Sequence, residues 1–490
     1  MAFPRENLYF LAWVVLGPSF LILDRVGPFW ALLGGLAFGA GLFSKLLFWL
    51  NLFGFVAYLL VVLLQSLFYG LAFWLGRVVG KGLKSPLLRG VTYAVSYVVV
   101  GEWLRAQGPF GFTWGMLAQS QYLATYMLQG CALFGSFGLS LGLAMAGGFL
   151  SVALRGGSSG SGRLGLLGWA FTLAFLAIVG DFEDLPSEQK LEVAVVQGRT
   201  EQRLESRRFL YSAPVVADYE RASLSLTRGA RLIIWPETAL PGPVAGPKAR
   251  PDLLALVRRI ARATGAWLLV GAPEEDLKGR IYNSVHLISP EGRIVATYSK
   301  VHLVPFGEYI PGGERIRGWL KRFGVRDFDF FPGKGFEPLR AEEFSVGVAV
   351  CFESIFPYIA RKLVQRGAEF LAVLTNDSWF GRTSAPEQHL AFSVLRAVET
   401  GRYVVRSAVT GISAIIHPRG FIIREAGLYQ LKVLRAAVRR ERSLTLYVRL
   451  GDWPMFLSLL WLLSVLLLRF GLFLPPCRYR RGLYSPGRRG

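Results

Sequence analysis

The stretch VAVCFESIF, residues 348–356, places a cysteine at the end of an apolar run, and a carboxylate follows it two positions later. Small and β-branched residues in such a run predict a buried strand. A lone cysteine on a strand is most often a small core residue. A thiol also becomes a nucleophile where neighbouring groups can take its proton. Cys351 is therefore either core or nucleophile, and the residues around it in the fold decide between the two.

The central region, residues 186–450, alternates β-branched runs with amphipathic patterns. Leu253, Val257 and Ile260, for example, recur on one face of a helix predicted over 251–264. Strands and helices interleaved in this way predict a layered α/β domain. The predicted strands cover residues 191–197, 231–237, 267–273, 283–289, 293–300, 344–353, 370–377 and 403–411. The predicted helices cover residues 214–228, 251–264 and 386–400.

Three of these strands end in a polar residue that a core would not select: Glu237, Lys300 and Cys351. Sites in open α/β sheets are built at strand ends. A carboxylate accepts the thiol proton, the thiolate attacks a carbonyl carbon, and an ammonium stabilises the oxyanion that forms. Each residue alone is weak evidence, but the three together predict a site for nucleophilic attack on a carbonyl group.

The flanks of the central region predict membrane helices. The chain has 490 residues, of which 52% are hydrophobic and 18% charged, and its formal net charge is +22. A chain this apolar either spans a membrane or aggregates. We predict spans over residues 8–23, 28–50, 53–76, 90–104, 129–154, 164–180 and 453–475, of which the first and fourth are of marginal length. The predicted domains are 1–185 (transmembrane, about six helices), 186–450 (catalytic) and 451–490 (a transmembrane helix and a basic cytoplasmic tail).

Basic residues mark one side of the predicted membrane helices. The loops 77–89 and 155–163 and the tail 478–489 hold clustered lysine and arginine residues. Because such loops stay in the cytoplasm, they predict that residues 186–450 and the N-terminus lie outside it. A positive charge can also indicate nucleic-acid binding, but here the basic residues flank membrane segments, so we predict no nucleic-acid partner.

The cysteine and histidine content argues against metal chemistry. Cys131, Cys351 and Cys477 are far apart, with neither a CxxC motif nor a nearby histidine pair, so a disulfide framework or a zinc site is not indicated. The chain has four histidines, too few for us to expect a multi-histidine metal centre. We therefore predict no cofactor and no metal.

Four motifs occur in a characteristic order: WPET at 235–238, YSKVHLVPFGEYIP at 298–311, CFE at 351–353 and TNDSWFG at 375–381. In this order they resemble the carbon-nitrogen hydrolase, or nitrilase, superfamily. With the membrane flanks and the stretch GEWLRAQGPFGFTWGMLAQSQ at 101–121, nearly the whole chain resembles the apolipoprotein N-acyltransferase family. The resemblance implies a polytopic α-helical membrane domain joined to a nitrilase-like αββα sandwich.

The resemblance also implies a Glu-Lys-Cys triad. Glu237 would be the general base, Lys300 the oxyanion stabiliser and Cys351 the nucleophile. The question that Cys351 raises is thereby decided in favour of the nucleophile.

The resemblance implies three supporting residues as well. Glu308 would hold Lys300 or the base in place, the Phe352 backbone N–H would be the second oxyanion donor, and Glu353 would lie beside the pocket. The chain departs from the family at two positions: Phe352 stands where a tyrosine is common, and Ser206 stands where some members have a tryptophan in a mobile loop. These departures concern how a lid closes over lipid.

The implied function is acyl transfer at a bacterial inner membrane, with the catalytic domain in the periplasm. A monomer would take an acyl chain from a phospholipid as a thioester on Cys351 and pass it to the N-terminal amine of a diacylglyceryl lipoprotein. The family usually has eight spans, so we expect a first helix to be missing upstream of Met1. One alternative is a membrane-tethered amidase that hydrolyses small amides. Another is a transporter or receptor that kept the fold, although the presence of all three triad residues argues against it.

Several other polar residues have structural interpretations. His302 and His389 are predicted to make structural hydrogen bonds. Arg396 and Glu399 are three apart on a helix and are predicted to form an ion pair. Trp114 is predicted to anchor the membrane interface rather than to line an acyl-chain entry.

Overall fold

Two six-stranded sheets form the region that the sequence predicts to be catalytic. The computed structural model describes residues 1–156, 159–179, 190–199, 213–312, 318 and 330–469, so Ser206, Cys477 and the basic tail lie outside the described residues. The strands are β1 (Lys190–Gln197), β2 (Leu232–Ile234), β3 (Trp267–Glu275), β4 (Ile281–Ile288), β5 (Ile294–Ser299), β6 (Leu339–Arg340), β7 (Ser345–Val350), β8 (Phe370–Asn376), β9 (Val404–Val409), β10 (Ser413–Ile416), β11 (Ile422–Ala426) and β12 (Lys432–Arg439). The first sheet has the order β12-β1-β2-β3-β4-β5, and the second has the order β11-β10-β9-β8-β7-β6.

Both faces of each sheet are buried. Strands β1 to β3 run parallel in the first sheet, as do β7 to β9 in the second. Val193 and Val195 of β1 share one core with Val346 and Val348 of β7, so the two sheets pack face to face. Ala194, between the two valines, faces the outer layer instead. This alternation explains why the central strands are apolar throughout rather than at every second residue.

Helices cover the outer face of each sheet. The α-helices are α1 (Leu16–Arg25), α2 (Pro28–Leu46), α3 (Phe55–Gly80), α4 (Pro86–Val98), α5 (Thr125–Leu128), α6 (Cys131–Gly156), α7 (Gly160–Ile178), α8 (Ala213–Leu226), α9 (Pro251–Thr264), α10 (Pro357–Gln365), α11 (Ala385–Thr400), α12 (Leu446–Leu450) and α13 (Trp453–Arg469). Helices α8 and α9 pack on the first sheet, and α10 and α11 pack on the second. The predicted αββα sandwich is confirmed.

Every predicted strand is present, but two of them end three residues earlier than predicted. The strand predicted over 231–237 covers only Leu232–Ile234, because Pro236 has no N–H to continue the ladder. The strand predicted over 344–353 ends at Val350, where the chain turns into a 3₁₀ helix, Cys351–Ile355. Strands β6, β10, β11 and β12 were not predicted.

Apolar helices form the N-terminal part. Within the described residues, α2, α3, α6 and α7 are long and apolar enough to cross a membrane. The predicted first span is instead a 3₁₀ helix, Tyr9–Trp13, followed by α1, whose ten residues rise only about 15 Å. The predicted fourth span is α4, which continues through a π-helix, Val99–Trp103, and a 3₁₀ turn, Leu104–Ala106. The predicted last span corresponds to the 17 residues of α13.

The membrane part packs directly on helix α11. Trp114 is 1% exposed, and its indole N–H donates to Gln388 Oε1 at 2.8 Å. Its ring also packs against Phe392 and His389 of the same helix. The prediction of a membrane-interface anchor is therefore wrong, because the catalytic domain covers this tryptophan.

The predicted ion pair of Arg396 with Glu399 is confirmed, and it extends into the membrane part. Arg396 Nε lies 2.7 Å from Glu399 Oε2. Glu399 Oε1 accepts the backbone N–H of Ser136 at 2.8 Å, where Gly135 interrupts α6 with a φ of +69°. A Cβ at Gly135 would lie 2.6 Å from the Tyr447 ring, so only glycine fits there. A carboxylate at the start of a helical segment is stabilised by the helix dipole. The Glu399 carboxylate therefore joins the two domains at this point.

Candidate active site

The ends of three strands bring Glu237, Lys300 and Cys351 together at one edge of the sheets, where the first two are buried and Cys351 is partly buried. Lys300 follows β5 directly and Cys351 follows β7 directly, so the first sheet supplies the ammonium and the second supplies the thiol. Glu237, just beyond β2, is 6% exposed, and Lys300 is 1% exposed. Lys300 Nζ lies 4.0 Å from Glu237 Oε1. Charges at this separation interact strongly when they are shielded from water, and both of them influence the Cys351 thiol.

Glu308 holds the Lys300 ammonium. Lys300 Nζ lies 3.0 Å from Glu308 Oε1 and 2.8 Å from Oε2. Burial alone would lower the pKa of Lys300, but the neighbouring Glu308, Cys351 and Glu237 outweigh burial and raise this pKa above its ordinary value. Lys300 therefore stays a cation at every physiological pH. This contact is the one expected of a residue that holds Lys300 in place, which is the role predicted for Glu308.

Two donors fix the Glu237 carboxylate. Asn283 Nδ2 donates to Oε1 at 2.7 Å, and the Asn376 backbone N–H donates to Oε2 at 2.7 Å. Burial raises the pKa of Glu237 against the opposing charge of Lys300. A carboxylate with a raised pKa is a stronger base than a solvated one, which suits a group that must take a thiol proton.

The Cys351 backbone is held in an uncommon conformation. Its φ of +50° lies in the left-handed region, which costs a non-glycine residue on the order of 1–3 kcal/mol and is most frequent at functional sites. Burial raises the pKa of the Cys351 thiol, the Glu237 charge adds to this, and Lys300 opposes both. A thiol whose pKa is raised in this way keeps its proton near neutral pH, so attack by sulfur needs a base.

Glu353 ties two strand ends together. It is completely buried, and its Oε1 accepts the Val301 N–H at 2.8 Å while its Oε2 accepts the Val350 N–H at 2.8 Å. Val301 follows Lys300 in the chain, and Val350 precedes Cys351. Both oxygens also lie 3.0 Å from the Tyr298 hydroxyl. One carboxylate thus fixes the segments that carry the ammonium and the thiol.

Phe352 lies in the first turn of the 3₁₀ helix Cys351–Ile355, where backbone N–H groups lack intrahelical acceptors. Its ring lies 6.4 Å from Phe112 of the membrane part and 5.9 Å from His302. His302 makes the structural hydrogen bond predicted for it, with Nδ1 2.9 Å from Tyr358 Oη. The Phe352 ring is therefore held by apolar contacts in which a tyrosine hydroxyl would have no required role.

Three polar residues lie at the site without having been predicted as site residues. Asn283 Nδ2 bridges Glu237 and Glu308, with 3.1 Å to Glu308 Oε1. The sequence gives little signal for it, because Asn283 is one of several polar residues in its predicted strand, NSVHLIS. Ser354 Oγ donates to the Cys351 carbonyl oxygen at 2.8 Å. His389, predicted to be structural, has Nε2 3.2 Å from the same oxygen.

The chemistry open to this arrangement is covalent acyl transfer. The site combines a thiol, a carboxylate base and a permanent cation, and shields them from water. These three groups are the components of a cysteine-nucleophile mechanism. Among the described residues, no group of three or more histidine, cysteine, aspartate or glutamate side chains is placed to hold a metal ion.

Known proteins resemble this chain in both of its parts. The carbon-nitrogen hydrolase family model matches residues 192–445, and the model for the apolipoprotein N-acyltransferase N-terminal domain matches residues 1–149. The apolipoprotein N-acyltransferase of Geobacter metallireducens is 30% identical over 470 residues, which cover 92% of this chain and 89% of that protein. The apolipoprotein N-acyltransferase of Gloeobacter violaceus is 33% identical over 481 residues, which cover 94% and 89%.

A solved structure also resembles the catalytic part. Saccharomyces cerevisiae Nit3, a member of branch 10 of the nitrilase superfamily, is 20% identical with a TM-score of 0.40, and the match covers 53% of this chain and 93% of Nit3.

Proposed function

The chain belongs to the apolipoprotein N-acyltransferase family, and from that membership we propose how its own residues carry the reaction. The enzyme transfers a fatty acyl chain from a phospholipid to the N-terminal amine of a diacylglyceryl lipoprotein. Glu237, Lys300 and Cys351 catalyse the transfer in two steps, through a thioester on the sulfur. The observation that supports this best is the burial of Lys300 within 4.0 Å of Glu237, at the strand ends that also carry Cys351.

In the first step, Glu237 takes the Cys351 proton while the sulfur attacks the ester carbonyl carbon of the phospholipid. The Lys300 ammonium and the Phe352 N–H stabilise the oxyanion that develops on the carbonyl oxygen. When the oxyanion collapses, the bond from carbon to the glycerol oxygen breaks, and Glu237 returns the proton to that oxygen. A lysophospholipid leaves, and the acyl chain remains on the sulfur.

In the second step, the lipoprotein amine attacks the thioester carbon. Glu237 takes a proton from the amine, and the same two donors stabilise the second oxyanion. The carbon–sulfur bond then breaks, the thiolate regains the proton from Glu237, and the product is an amide. Because the first product leaves before the amine attacks, one pocket serves two bulky lipid substrates in turn. The alternative, a small-amide hydrolase, is supported only at the level of the superfamily.

We place the catalytic domain on the periplasmic side of the bacterial inner membrane. Helix α6 supports this placement: Ser136 near its start bonds to Glu399 of the catalytic domain, and Arg155 near its end pairs with Asp24 beside Arg89. The 19 residues between Ser136 and Arg155 rise roughly 30 Å, about the thickness of the hydrocarbon layer. The basic ends of the helices therefore lie a full membrane thickness from the catalytic domain, as the positive-inside rule requires of cytoplasmic loops.

Reporter fusions test this orientation. A reporter fused after residue 160 is expected to read as cytoplasmic, and one inserted within residues 200–440 as periplasmic. A fusion at residue 82, in the basic connection between α3 and α4, is a second cytoplasmic control. The opposite pattern would reject the orientation and, with it, access of the enzyme to exported lipoproteins.

A trapped acyl-enzyme tests the mechanism. An acyltransferase must resist water while it waits for an amine, which a closed apolar site achieves by excluding solvent. Enzyme purified with phospholipid and without a lipoprotein acceptor is therefore expected to carry one fatty acyl mass on Cys351. Intact-protein mass spectrometry follows the adduct, and neutral hydroxylamine should remove it, because thioesters are labile to hydroxylamine and amides are not.

A diacylated lipopeptide completes the test. Adding the peptide should discharge the adduct and leave the acyl mass on the peptide as an amide. Enzyme carrying Cys351→Ala provides the control without adduct. If water discharges the adduct as fast as the peptide does, the amidase alternative replaces N-acyl transfer.

A further inference from the structure

The turn that carries the nucleophile has its own buried support. Ser354 Oγ donates to the Cys351 carbonyl oxygen at 2.8 Å, and His389 Nε2 lies 2.9 Å from that hydroxyl and 3.2 Å from that carbonyl oxygen. Ser354 and His389 are each 1% exposed. With a hydrogen on Nε2 the ring donates to the carbonyl alongside the Ser354 hydroxyl, so both side chains hold the carbonyl in this tautomer. With a bare Nε2 the ring would instead take the single hydroxyl hydrogen of Ser354 away from the carbonyl.

His389 is itself fixed from behind. Its Nδ1 lies 3.0 Å from Asp377 Oδ1 and 3.1 Å from Arg406 Nη2, which donates to Nδ1 when the ring hydrogen is on Nε2. Asp377 Oδ2 also accepts from Arg406 Nη2, at 2.7 Å. Burial and the charge of Arg406 lower the pKa of His389, so the ring is neutral at pH 7. The ring therefore holds one position against the nucleophile turn and undergoes no change of charge during the reaction.

The other end of the 3₁₀ helix Cys351–Ile355 is held jointly by the membrane part and by α11. Thr113 Oγ1 donates to the Ile355 carbonyl at 3.0 Å, and Arg396 Nη1 donates to the same oxygen at 2.8 Å. Both ends of this short helix are thus fixed, which limits how far the peptide after Cys351 can rotate.

The geometry of a peptide unit links these contacts to catalysis. The carbonyl of Cys351 and the N–H of Phe352 belong to one planar trans peptide, so they point in opposite directions. A bond that holds the carbonyl on the buried side therefore aims the N–H at the opposite side. If the carbonyl were released, rotation of this one peptide would turn the N–H away, and the left-handed φ of Cys351 favours such a release, because it is strained.

We propose that Ser354 and His389 are positioning residues that aim the Phe352 N–H at the oxyanion by holding the Cys351 carbonyl. The inference rests on the proposed function, in which that N–H is an oxyanion donor. Both side chains are buried behind the turn, so they act through the peptide that follows Cys351. Their loss should slow the attack on a carbonyl without changing the nucleophilicity of the sulfur.

Two reactions of the same sulfur separate these effects. Acylation by phospholipid passes through an oxyanion, whereas methyl methanethiosulfonate is attacked at sulfur and forms none. We expect Ser354→Ala and His389→Gln to slow single-turnover acylation roughly 10- to 100-fold, less than the 10²–10³ of deleting an oxyanion donor. The rate of methanethiosulfonate modification at Cys351, followed by peptide mass, should stay within about twofold of wild type.

Matched controls are available at two other buried positions. Ser413→Ala also removes a buried hydroxyl, which accepts the Ala408 N–H at 2.9 Å, and His286→Gln replaces another buried histidine. Both control variants should keep the wild-type ratio of the two rates. The full-length enzyme is used throughout, and its thermal unfolding is recorded for each variant.

The outcomes separate the two levels of the proposal. Wild-type acylation in both Ser354→Ala and His389→Gln would overturn the positioning role. An equal loss of both reactions with a lowered Tm would also overturn it, because the residues would then be merely structural. By contrast, acyl transfer that survives full methanethiosulfonate modification of Cys351 would reject the nucleophile itself, and so the proposed function.

Discussion

Replacing Cys351 with alanine is expected to abolish acyl transfer to a lipoprotein amine. The two-step route needs an atom that first accepts and then releases the acyl chain, and a methyl group does neither. Loss of a covalent nucleophile typically costs on the order of 10⁶ in kcat. Alanine occupies the left-handed conformation of this turn at a cost similar to that of cysteine, so the fold should persist. The measurement is the mass gain of a diacylated lipopeptide incubated with enzyme and phospholipid.

Two further substitutions sharpen this result. Cys351→Ser keeps a nucleophilic atom, but its proton is far harder for Glu237 to remove, so we expect only trace acylation. Cys131→Ala changes a completely buried cysteine in the membrane part and should retain wild-type transfer. Turnover by a folded Cys351→Ala enzyme at more than trace level would reject the covalent mechanism.

The place of the site in the fold could be predicted because strand ends have a recognisable sequence pattern. A buried strand reads as an apolar run, and the first polar residue after it, such as Lys300 or Cys351, lies at an edge of the sheet. This pattern locates the end of a strand only to within a few residues. Glu237 was predicted as the last residue of a strand, whereas β2 ends three residues earlier, at Ile234.

Contacts between distant segments have no such pattern in the local sequence. Trp114 bonds to Gln388, 274 residues away, and only the docking of the two domains turns an apparent membrane anchor into an interdomain residue. His389 is similar, because a histidine on a helix gives no sign that a strand end 38 residues earlier will lie against it. Local patterns specify elements, but the partners of a buried polar group depend on how the elements pack.

Two of the missed strands, β11 and β12, have a different cause. In β12 the central residues include Arg435, and in β11 Arg424 and Glu425 are exposed, so neither strand has the apolar character of the central strands. Both lie at the end of their sheets and pair on one side only. Edge strands tolerate charge because one row of their backbone groups faces outward, and this removes the pattern from which a strand is predicted.

Replacing Glu237 with glutamine is expected to slow thioester formation by about 10²–10⁴, the usual contribution of a general base. The amide has the size of the carboxylate, and its oxygen can still accept from Asn283 or from the Asn376 N–H. Lys300 keeps its ion pair with Glu308 at 2.8 Å, so the oxyanion donor stays in place. The variant loses only the capacity to take the thiol proton. We therefore expect it to bind phospholipid with little change in KM. The measurement is the single-turnover rate of acyl-enzyme formation.

A conservative control separates the base from a general effect of lost charge. Glu343→Gln makes the same chemical change at a half-exposed carboxylate that pairs with Arg231 on the surface, and it should leave the rate unchanged. Wild-type acylation by a folded Glu237→Gln enzyme would contradict the role of Glu237 as the base.

The pH dependence of both enzymes gives an independent test of the same role. Only ionised Glu237 can accept a proton, and burial raises its pKa, so the wild-type rate should fall as the pH drops through a value above the usual glutamate range. That acid limb should vanish in Glu237→Gln.

The Glu237→Gln variant must instead rely on thiolate formed by loss of the proton to solvent, and burial raises the pKa of Cys351. Its residual rate should therefore rise about tenfold per pH unit across the neutral and mildly alkaline range, because each unit increases the thiolate fraction tenfold below the thiol pKa. A residual rate that is independent of pH would mean that Lys300 already keeps the sulfur as a thiolate, and Glu237 would then have no proton to remove in the first step.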